Sequence, residues 1–343
     1  MIDLSPWPLW SVIALFVGAA LAIATAGVRL SHVADRLADR TGMGEIVAGA
    51  LFVGAATSLP GAITSVTTAL QDAPSLAIGN ALGGLTAQTM FIAVADLVYR
   101  RANLEHAAAS ATGLAQGLLL TSLLTLPLIA ASEPSVTVWG VHPVSAVIPA
   151  AYGFGLVLLR RIEREPMWEP VDTPETREEV SEPDRGEDEP EDRSLWTTFL
   201  LCAAVTAVAG YVIGEASIAL VQKTGLTESV IGTVFSAVAN SLPELVTAIA
   251  AVRIGAVSLA VGDIIGGNAF EVMFLCAADV AYDGSIYEAF TSQDRTTALI
   301  ALLMTAVILL GMVRRQRRGV AKIGFESAIV LVLYAGSVGL LFV

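Results

Sequence analysis

The sequence predicts an all-α membrane protein of about ten transmembrane helices, folded as two inverted five-helix repeats. Three observations predict this class: a composition poor in charge, ten apolar stretches long enough to cross a bilayer, and an internal duplication. Of the 343 residues, 55% are hydrophobic and 15% are charged, and the mean hydropathy is +0.71. Because about a quarter of the residues of a soluble domain are charged, this composition excludes a conventional cytosolic enzyme, and it also excludes a disordered chain.

The net charge and the metal-binding residue types exclude further classes. The formal net charge is −13 and the pI is near 4.6, whereas nucleic-acid binding requires a basic patch. Cys202 and Cys276 lie inside apolar stretches and the three histidines are far apart, so neither a disulfide framework nor a His/Cys metal site is predicted. We expect no cofactor, no nucleic acid and no obligatory protein partner; the predicted partners are the lipid bilayer and inorganic cations.

A membrane helix needs about 20 mostly apolar residues, and a window of that length finds ten stretches. They lie near residues 7–30, 43–71, 73–99, 104–131, 138–160, 195–217, 226–252, 256–281, 295–313 and 321–343. The N-terminus has no basic region and no small-residue cleavage site. The first stretch is therefore expected to be a retained helix and not a signal peptide.

Basic residues orient the chain, because Lys and Arg collect in cytoplasmic loops. Most of them follow the odd-numbered spans: Arg29, Arg36, Arg40, Arg100, Arg101, Arg160, Arg161, Arg164, Arg253, Arg314, Arg315, Arg317, Arg318 and Lys322. With ten spans all these loops fall on one side, and mainly Lys223 and Arg295 are left on the other. We therefore expect a multi-pass protein of the cell (inner) membrane with both termini outside.

An acidic segment divides the chain into a first repeat, residues 1–162, and a second repeat, residues 195–343. Positions 163–193 hold 14 acidic residues and four arginines. This composition predicts a disordered cytoplasmic linker over residues 163–194, and a regulatory or cation-sensing segment is the alternative. The segment lacks the Asp-x-Asp-x-Asp-Gly spacing of a calcium-binding loop.

The duplication has a constant offset (243 − 60 = 183) and runs without a gap over about 55 residues. It pairs Ser58-Leu59-Pro60 with Ser241-Leu242-Pro243, Glu45 with Glu228, Gly49 with Gly232, Gly79 with Gly262, Gly83-Gly84 with Gly266-Gly267, Met90-Phe91 with Met273-Phe274, and Asp96 with Asp279. Because each repeat has an odd number of spans, the two copies are expected to have opposite membrane orientations. Inverted repeats with interrupted helices are typical of secondary transporters, whose substrate site lies near the bilayer midplane.

The interruption is predicted at Pro60 and Pro243. Each proline removes a backbone donor, and the carbonyl groups that this frees are tolerated inside a membrane only beside a cavity or an ion. The spans that follow carry polar side chains every fourth residue, on one helical face: Asn80, Gly84 and Gln88 in the first repeat, and Asp263, Gly267 and Glu271 in the second.

Three carboxylates, Glu244, Asp263 and Glu271, lie within apolar sequence, where an ionisable side chain indicates a functional site. Other acidic residues have simpler explanations. We expect Glu45 and Glu228 to cap the helices that they open, and we expect Asp96 and Asp279 to lie at the membrane interface.

Hard cations prefer oxygen ligands, and calcium takes six to eight of them. The predicted cation site combines the carboxylates with neutral oxygens: Glu244, Glu271, Asp263, Thr57, Ser58, Asn240, Ser241 and Gln88. Two carboxylates neutralise one divalent ion, two sodium ions or two protons equally well, and this equivalence is the electrostatic basis for exchange. Anions fit poorly, since no basic residue lies near either interruption.

At these positions the sequence resembles the cation/calcium exchanger superfamily, particularly its sodium/calcium branch. In that family each of two inverted five-helix repeats has a Gly-Thr-Ser-x-Pro-Glu element followed by a Gly-Ser-Asn-x-x-Asn/Asp element. The corresponding segments here are Ala56-Thr57-Ser58-Leu59-Pro60-Gly61, Gly83-Gly84-Leu85-Thr86-Ala87-Gln88, Ala239-Asn240-Ser241-Leu242-Pro243-Glu244 and Gly266-Gly267-Asn268-Ala269-Phe270-Glu271. The resemblance implies that Glu244 is a principal cation ligand and that Glu271 and Gln88 end the second elements.

Three departures from the family pattern concern the ligands. Gly61 stands where the first repeat of the family has its Glu, and Gly84 and Gly267 replace two serines. Glu271 is longer than the usual Asp or Asn, and we expect it to reach across the site in compensation. Replacing Gly61 by Glu is expected to raise the affinity for divalent cations.

The sequence favours an antiporter that exports calcium or a related divalent cation in exchange for sodium, and not an enzyme. A cation/proton antiporter and a monovalent-cation exchanger on the same fold are the alternatives. An intramembrane aspartyl protease is disfavoured, because Asp263 and Asp283 stand in the wrong order for its motifs and Asp283 falls in a loop. A channel is disfavoured because the duplicated broken helices indicate alternating access.

Overall fold

A computed structural model describes residues 2–41, 54–99, 101–132, 136–171, 173, 192–317, 319 and 323–343. These residues form α-helices and one π-helix, with an isolated β-bridge between Val138 and Val141. The predictions for Gly49 and for the Glu45 cap lie outside the described residues, as does most of the predicted acidic linker.

The helices alternate between long spans and short broken pieces. In chain order they are α1 Leu9–Thr41, α2 Ala55–Thr57, α3 Leu59–Leu70, α4 Pro74–Val98, α5 Leu104–Ala107, α6 Ala111–Ala130, α7 Val144–Arg164, α8 Asp192–Thr224, α9 Glu228–Val230, the π-helix Ile231–Ser236, α10 Ala237–Asn240, α11 Leu242–Ile254, α12 Val257–Ala281, α13 Ser292–Arg314 and α14 Phe325–Leu340.

Seven of the described helices are long and apolar enough to cross a membrane, and an eighth span results if α9 to α11 are counted as one bent helix. Two shorter apolar helices, α3 and α14, accompany them. An all-α membrane protein is thus confirmed, whereas the count of ten spans stays a prediction. Several predicted boundaries shift: α1 continues to Thr41, α7 begins at Val144, α8 continues to Thr224, and the stretch 104–131 divides into α5 and α6.

Both helices with a Ser-Leu-Pro sequence are interrupted, but at the serine and not at the proline. Ser58 separates α2 from α3 and Ser241 separates α10 from α11, where the axis bends by 46°. Pro60 and Pro243 lie in the first turn of the helix that follows. A proline is tolerated there, because the first turn has no intrahelical acceptor for its missing N–H.

The helices α4 and α12, which are register partners at the offset of 183, form the interior of the bundle. They are the most buried of the long apolar helices. They pack against each other and against the broken helices, with α3 and α11 beside both, while α1 and α8 pack together along one side of the bundle. This arrangement brings the polar faces of α4 and α12 to the interruptions at Ser58 and Ser241.

Glycines allow α4 to lie unusually close to the π-helix. A Cβ atom on Gly83 would lie 2.6 Å from Thr233 Cα and 2.8 Å from Ala237 Cβ, and one on Gly79 would lie 3.2 Å from Gly232 Cα. Side chains larger than hydrogen at these positions would separate the two helices. The glycine spacing therefore fixes the distance between α4 and the second broken helix.

Asp96 and Asp279 lie close to the ends of α4 and α12, where they were predicted, and both are fully buried; their place at the membrane interface stays a prediction. Asp96 accepts hydrogen bonds from the backbone N–H groups of Leu104 (2.7 Å) and Gly324 (3.1 Å). Asp279 accepts them from Ile286 (2.9 Å) and His142 (2.8 Å). Each aspartate thus joins the end of a central helix to two loops, because a buried backbone donor needs an acceptor.

We name these two places by their aspartates. The Asp96 corner consists of Asp96, residues 104–105 and residues 324–327. The Asp279 corner consists of Asp279, residues 286–287 and residues 142–145. The two corners occupy corresponding places in the two halves of the chain, since the aspartates are register partners.

Glu228 caps a helix, but not the one that it opens. Its own helix is capped by Thr227, whose hydroxyl accepts from the backbone N–H of Val230 (3.3 Å). The Glu228 carboxylate accepts from the backbone N–H groups of Ser75 and Leu76, in the first turn of α4. Glu228 thereby joins the two halves at the end of α4 where negative charge is favourable.

Candidate cation site

Glu244 lies in the first turn of α11, next to the interruption at Ser241. Its side chain is buried, with 8% of its surface exposed, and the Thr57 hydroxyl of α2 is within hydrogen-bond reach of the carboxylate. Glu244 Oε2 has no hydrogen-bond partner. The two broken helices thus meet at this carboxylate, one oxygen of which is left free to bind a ligand.

Glu271 reaches across the site to the other half of the chain, as predicted. It lies on α12 and is 4% exposed. Gln88 Nε2, on α4, donates to Glu271 Oε1 at 2.6 Å and is 3.3 Å from Ser241 Oγ. Glu271 is also close enough to Glu244 for the two carboxylates to interact electrostatically. The chain therefore brings together the two acids on which the predicted site depends.

Gly84 makes room for the long Glu271 side chain. A Cβ atom on Gly84 would lie 3.0 Å from both Cδ and Oε1 of Glu271. A serine at this position, as in the family pattern, would occupy the place of the carboxylate. Gly84 therefore stands in place of the family's serine, and Glu271 stands in place of its shorter Asp or Asn. The two replacements depend on each other.

Gly61 faces an aromatic ring where the family pattern has a carboxylate. A Cβ atom on Gly61 would lie 2.6 Å from Phe274 Cε2 and 3.2 Å from its Cζ, and Phe274 is itself fully buried. Because buried rings leave little free volume, the structure removes the basis for the expectation that Gly61→Glu alone raises divalent affinity. The first half therefore has no carboxylate at the position that corresponds to Glu244.

The first half supplies a neutral network instead. Asn240 Nδ2 donates to Asn80 Oδ1 (2.8 Å) and to Thr64 Oγ1 (3.1 Å). Asn80 Nδ2 in turn donates to the Gly61 carbonyl (2.9 Å) and to Ser65 Oγ (2.9 Å). These bonds hold the Asn240 side chain between the halves, with its carbonyl oxygen Oδ1 unbonded.

Five residues of the predicted site each have a buried oxygen atom that no described residue hydrogen-bonds. They are Ser58 Oγ, Gln88 Oε1, Asn240 Oδ1, Glu244 Oε2 and Glu271 Oε2. Buried polar atoms are bonded in the great majority of cases, so unbonded oxygens on both broken helices and both central helices require an explanation. A cation bound among them would satisfy them, because hard cations take several oxygen ligands.

Comparison with known proteins agrees with this chemistry. The family model described as sodium/calcium exchanger protein matches residues 11–159 and 194–343, which is most of the chain. The chain belongs to the sodium/calcium exchanger protein family. The exchanger family is a family of inorganic-cation transporters and not an enzyme class, and the predicted resemblance to the cation/calcium exchanger superfamily is confirmed.

Two curated relatives of this exchanger differ in how much of it they match. The sodium/calcium exchanger MaX1 of Methanosarcina acetivorans is 34% identical over 146 residues, and this match covers 41% of each chain. The inner membrane protein YrbG of Escherichia coli K12 is 28% identical over 301 residues, which covers 86% of this chain and 87% of YrbG. The exchanger is accordingly a multi-pass membrane protein with an inner-membrane relative.

Solved structures share the fold. The sodium-calcium exchanger NCX_Mj matches with a TM-score of 0.61 and 16% identity, over 97% of this exchanger and 99% of that chain. The H+/Ca2+ exchanger CAX matches with a TM-score of 0.68 and 12% identity, over 96% and 86% of the two chains.

Asp263 differs from the other predicted ligands in its surroundings. Its side chain is exposed, whereas that of its register partner Asn80 is buried in the neutral network. Asp263 acts electrostatically on Glu244 and on Asp35 of α1. Among the described residues no three His, Cys, Asp or Glu side chains are close enough together to hold a metal ion, so a cation here would depend on two carboxylates and neutral oxygens.

Three polar residues of the exchanger site were not predicted as part of it. Asn80 was identifiable, since the offset of 183 aligns it with Asp263. Thr64 and Ser65 gave no signal, because a hydroxyl in an apolar helix ordinarily bonds to the preceding turn, as Thr64 also does to the Pro60 carbonyl (2.9 Å). Only packing against α8, where Thr64 Oγ1 donates to the Gly210 carbonyl (2.8 Å), and against Asn240 reveals their position.

Proposed function

We propose that this exchanger is a secondary-active antiporter that exchanges calcium, or a related divalent cation, for sodium by alternating access. The observation that carries the proposal is the set of buried, unbonded oxygens around Glu244 and Glu271. The proposed ligands are the predicted ones: the two glutamates, with Thr57, Ser58, Gln88, Asn240 and Ser241 supplying neutral oxygens and Asp263 standing at the approach.

Charge balance supports exchange over one-way movement. Two buried carboxylates carry a charge of −2 when ionised, and leaving that charge uncompensated inside a membrane is costly. One divalent cation or two sodium ions neutralise it equally. A site of this kind therefore favours states loaded with one substrate or the other, which is the requirement for coupled exchange.

We also propose that the fold consists of ten spans in two inverted repeats, residues 1–162 and 195–343, joined by a cytoplasmic linker, with both termini outside. Three findings support this arrangement. The family model matches each half separately. Gln88 and Glu271, which are register partners, bond to each other, as residues close to a twofold axis do. The Asp96 and Asp279 corners have corresponding bonds.

The sodium-coupled reaction is favoured by the relative named as a sodium/calcium exchanger, MaX1. The name of the structural neighbour CAX pairs calcium with protons. Proton coupling and monovalent-cation exchange are therefore the outcomes that an experiment must separate from the proposed reaction.

Uptake by proteoliposomes tests the proposal. Vesicles containing the purified protein are loaded with sodium and diluted into sodium-free medium that contains radioactive calcium. We expect calcium uptake that depends on the outward sodium gradient and ceases when an ionophore dissipates it, whereas a proton or potassium gradient alone gives none. Uptake driven by the proton gradient alone would contradict sodium coupling, and no calcium uptake under any gradient would contradict calcium transport.

A further inference from the structure

The Asp96 corner contains a buried pair of acids that lies outside the candidate cation site. Glu105 of α5 and Glu326 of α14 are both fully buried, and their carboxyl groups are within hydrogen-bond distance of each other. The Ser327 hydroxyl is 3.2 Å from Glu105 Oε1 and is also within reach of Asp96. Since Asp96 follows Gln88 by eight residues on α4, the corner is about 12 Å along the helix from the cation site.

The pair has unused hydrogen-bonding capacity. Among the described residues, Glu105 Oε2 and both carboxyl oxygens of Glu326 have no other hydrogen-bond donor. Two glycines shape the space for Glu326: a Cβ atom on Gly311 or Gly324 would lie 2.9 Å or 2.5 Å from its Cδ. The corner is thus built around a buried carboxyl group that nothing neutral satisfies.

The Asp279 corner shows that the fold itself does not require these acids. There Ser145 Oγ donates to Asp279 Oδ2 (2.7 Å) and lies 2.9 Å from the Tyr287 hydroxyl. Tyr287 occupies the position of Glu105, because it follows the residue whose N–H bonds to the aspartate. Val144, which precedes Ser145, occupies the position of Glu326. The Asp279 corner makes the same joint with a tyrosine of the second half and a valine of the first half.

Electrostatics limit the charge that the pair can hold. Two carboxylates in contact cannot both ionise readily, so such a pair retains one proton. Asp96 adds a third acidic side chain to the surroundings of Glu105. The opposing charge is Arg314 of α13, which acts on Glu326 and whose guanidinium lies 5.7 Å from the Phe325 ring centre.

The corner also holds the start of the linker. Next to Glu105, His106 Nδ1 is 2.7 Å from the Arg315 carbonyl and His106 Nε2 is 3.2 Å from Thr173 Oγ1. The Arg315 guanidinium donates to the Val171 carbonyl. Val171 and Thr173 thereby contact His106 and the loop after α13, beside the acid pair.

We propose that Glu105 and Glu326 form a proton-binding site, separate from the cation site, whose bound proton holds the Asp96 corner and the start of the linker together. The ligand that we assign is a proton, because two adjacent buried carboxyl groups are relieved of their mutual repulsion by sharing one. Loss of the proton leaves two adjacent buried charges, which loosens the joint. The folded protein holds the two carboxyl groups side by side and therefore favours the protonated pair. The proton stabilises the joint fully below the usual carboxyl range, and this stabilisation is lost as the pH rises and the pair releases its proton.

Infrared difference spectroscopy on the full-length protein in lipid vesicles tests the proton. As the pH is raised, we expect the carbonyl band of a protonated carboxyl group to disappear. This change is expected to be missing from Glu105→Gln and from Glu326→Gln, and to remain in Glu244→Gln, a matched change of another buried acid. A titrating band that persists unchanged in both Glu105→Gln and Glu326→Gln would overturn the proposal.

Hydrogen–deuterium exchange tests the joint and does not depend on transport. The double variant Glu105→Tyr/Glu326→Val copies the Asp279 corner and is expected to fold. After correction for the intrinsic exchange rate, protection of residues 101–108 and 323–328 is expected to fall at least about tenfold with rising pH in the natural protein and to stay constant in the double variant. Equal loss of protection in both proteins would overturn the proposal.

Discussion

Two glycines determine how the carboxylates of the central site are placed. Gly84 leaves space for Glu271, whereas the space at Gly61 is filled by Phe274. Each glycine departs from the family pattern, and each faces a side chain of α12. The site therefore takes both of its carboxylates, Glu244 and Glu271, from the second half of the chain.

We expect Gly61→Glu to destabilise the protein, because the new side chain and the Phe274 ring compete for one place. Overpacking costs about 1–3 kcal/mol, and burial of the carboxyl group adds to it. Phe274→Ala alone is expected to cost about 3–5 kcal/mol. In the double variant the two losses are expected to be less than additive, as measured by thermal unfolding in detergent.

Calcium binding by the same double variant distinguishes the effect of the space that Phe274 fills from the effect of the added carboxyl charge. If Phe274 replaces the missing carboxylate, Gly61→Glu/Phe274→Ala gains a third central acid and binds calcium more tightly than Phe274→Ala. If the stability losses of the two single variants are fully additive and the calcium affinity is unchanged, Phe274 does not occupy the place of that carboxylate.

Sequence reasoning identified the charged residues of the site but not the packing around them. Glu244 and Glu271 were predictable because a carboxylate within apolar sequence is costly and the duplication aligns Glu271 with Gln88. The contact of Gly61 with Phe274 was not predictable, since it joins positions 213 residues apart (274 − 61) in two helices whose rotation the sequence leaves open.

Among the structural elements, α4 and the π-helix are in close contact at Gly83. Gly83 of α4 touches Thr233 and Ala237, whereas the nearest described atom to a Cβ on its register partner Gly266 is Gln116 Nε2, at 3.8 Å. The π-helix itself was not predicted, because its extra residue per turn depends on the packing of neighbouring helices and leaves no residue signature. The interruptions were predictable from proline chemistry to within two residues.

We expect Gly83→Ala to lower the midpoint of thermal unfolding, because the added methyl group would push α4 away from the π-helix at a cost of about 1–3 kcal/mol. Gly266→Ala is the matched control and is expected to change the midpoint little, since ordinary contact distances surround it. Equal midpoints for the two variants would contradict a close contact at Gly83.

For the whole molecule, the duplication was predictable because identities stay in register over a long stretch, but the differences between the halves were not. Asn80 and Asp263 are register partners, yet Asn80 is buried in a neutral network and Asp263 is exposed. The proposed topology places Asp263 toward the cytoplasm. Together these features predict that the approach to the site is open on the cytoplasmic side.

A membrane-impermeant thiol reagent checks this orientation in a Cys202→Ser background. Asp263→Cys is expected to react in inside-out vesicles, and Asn80→Cys is expected to react in neither vesicle orientation. Reaction of Asp263→Cys only in right-side-out vesicles would contradict the proposed topology, and rapid reaction of Asn80→Cys from outside would contradict closure on that side.

Calorimetric titration with calcium measures most directly whether Glu244 and Glu271 together bind the transported cation. We predict that Glu244→Gln and Glu271→Gln each weaken calcium binding at least about tenfold, or about 1.4 kcal/mol, because each removes one of two neutralising charges. Glu326→Gln removes a buried acid outside the site and is predicted to bind calcium with unchanged affinity. Natural affinity in Glu244→Gln, or an equal loss in all three variants, would contradict the assignment of the site.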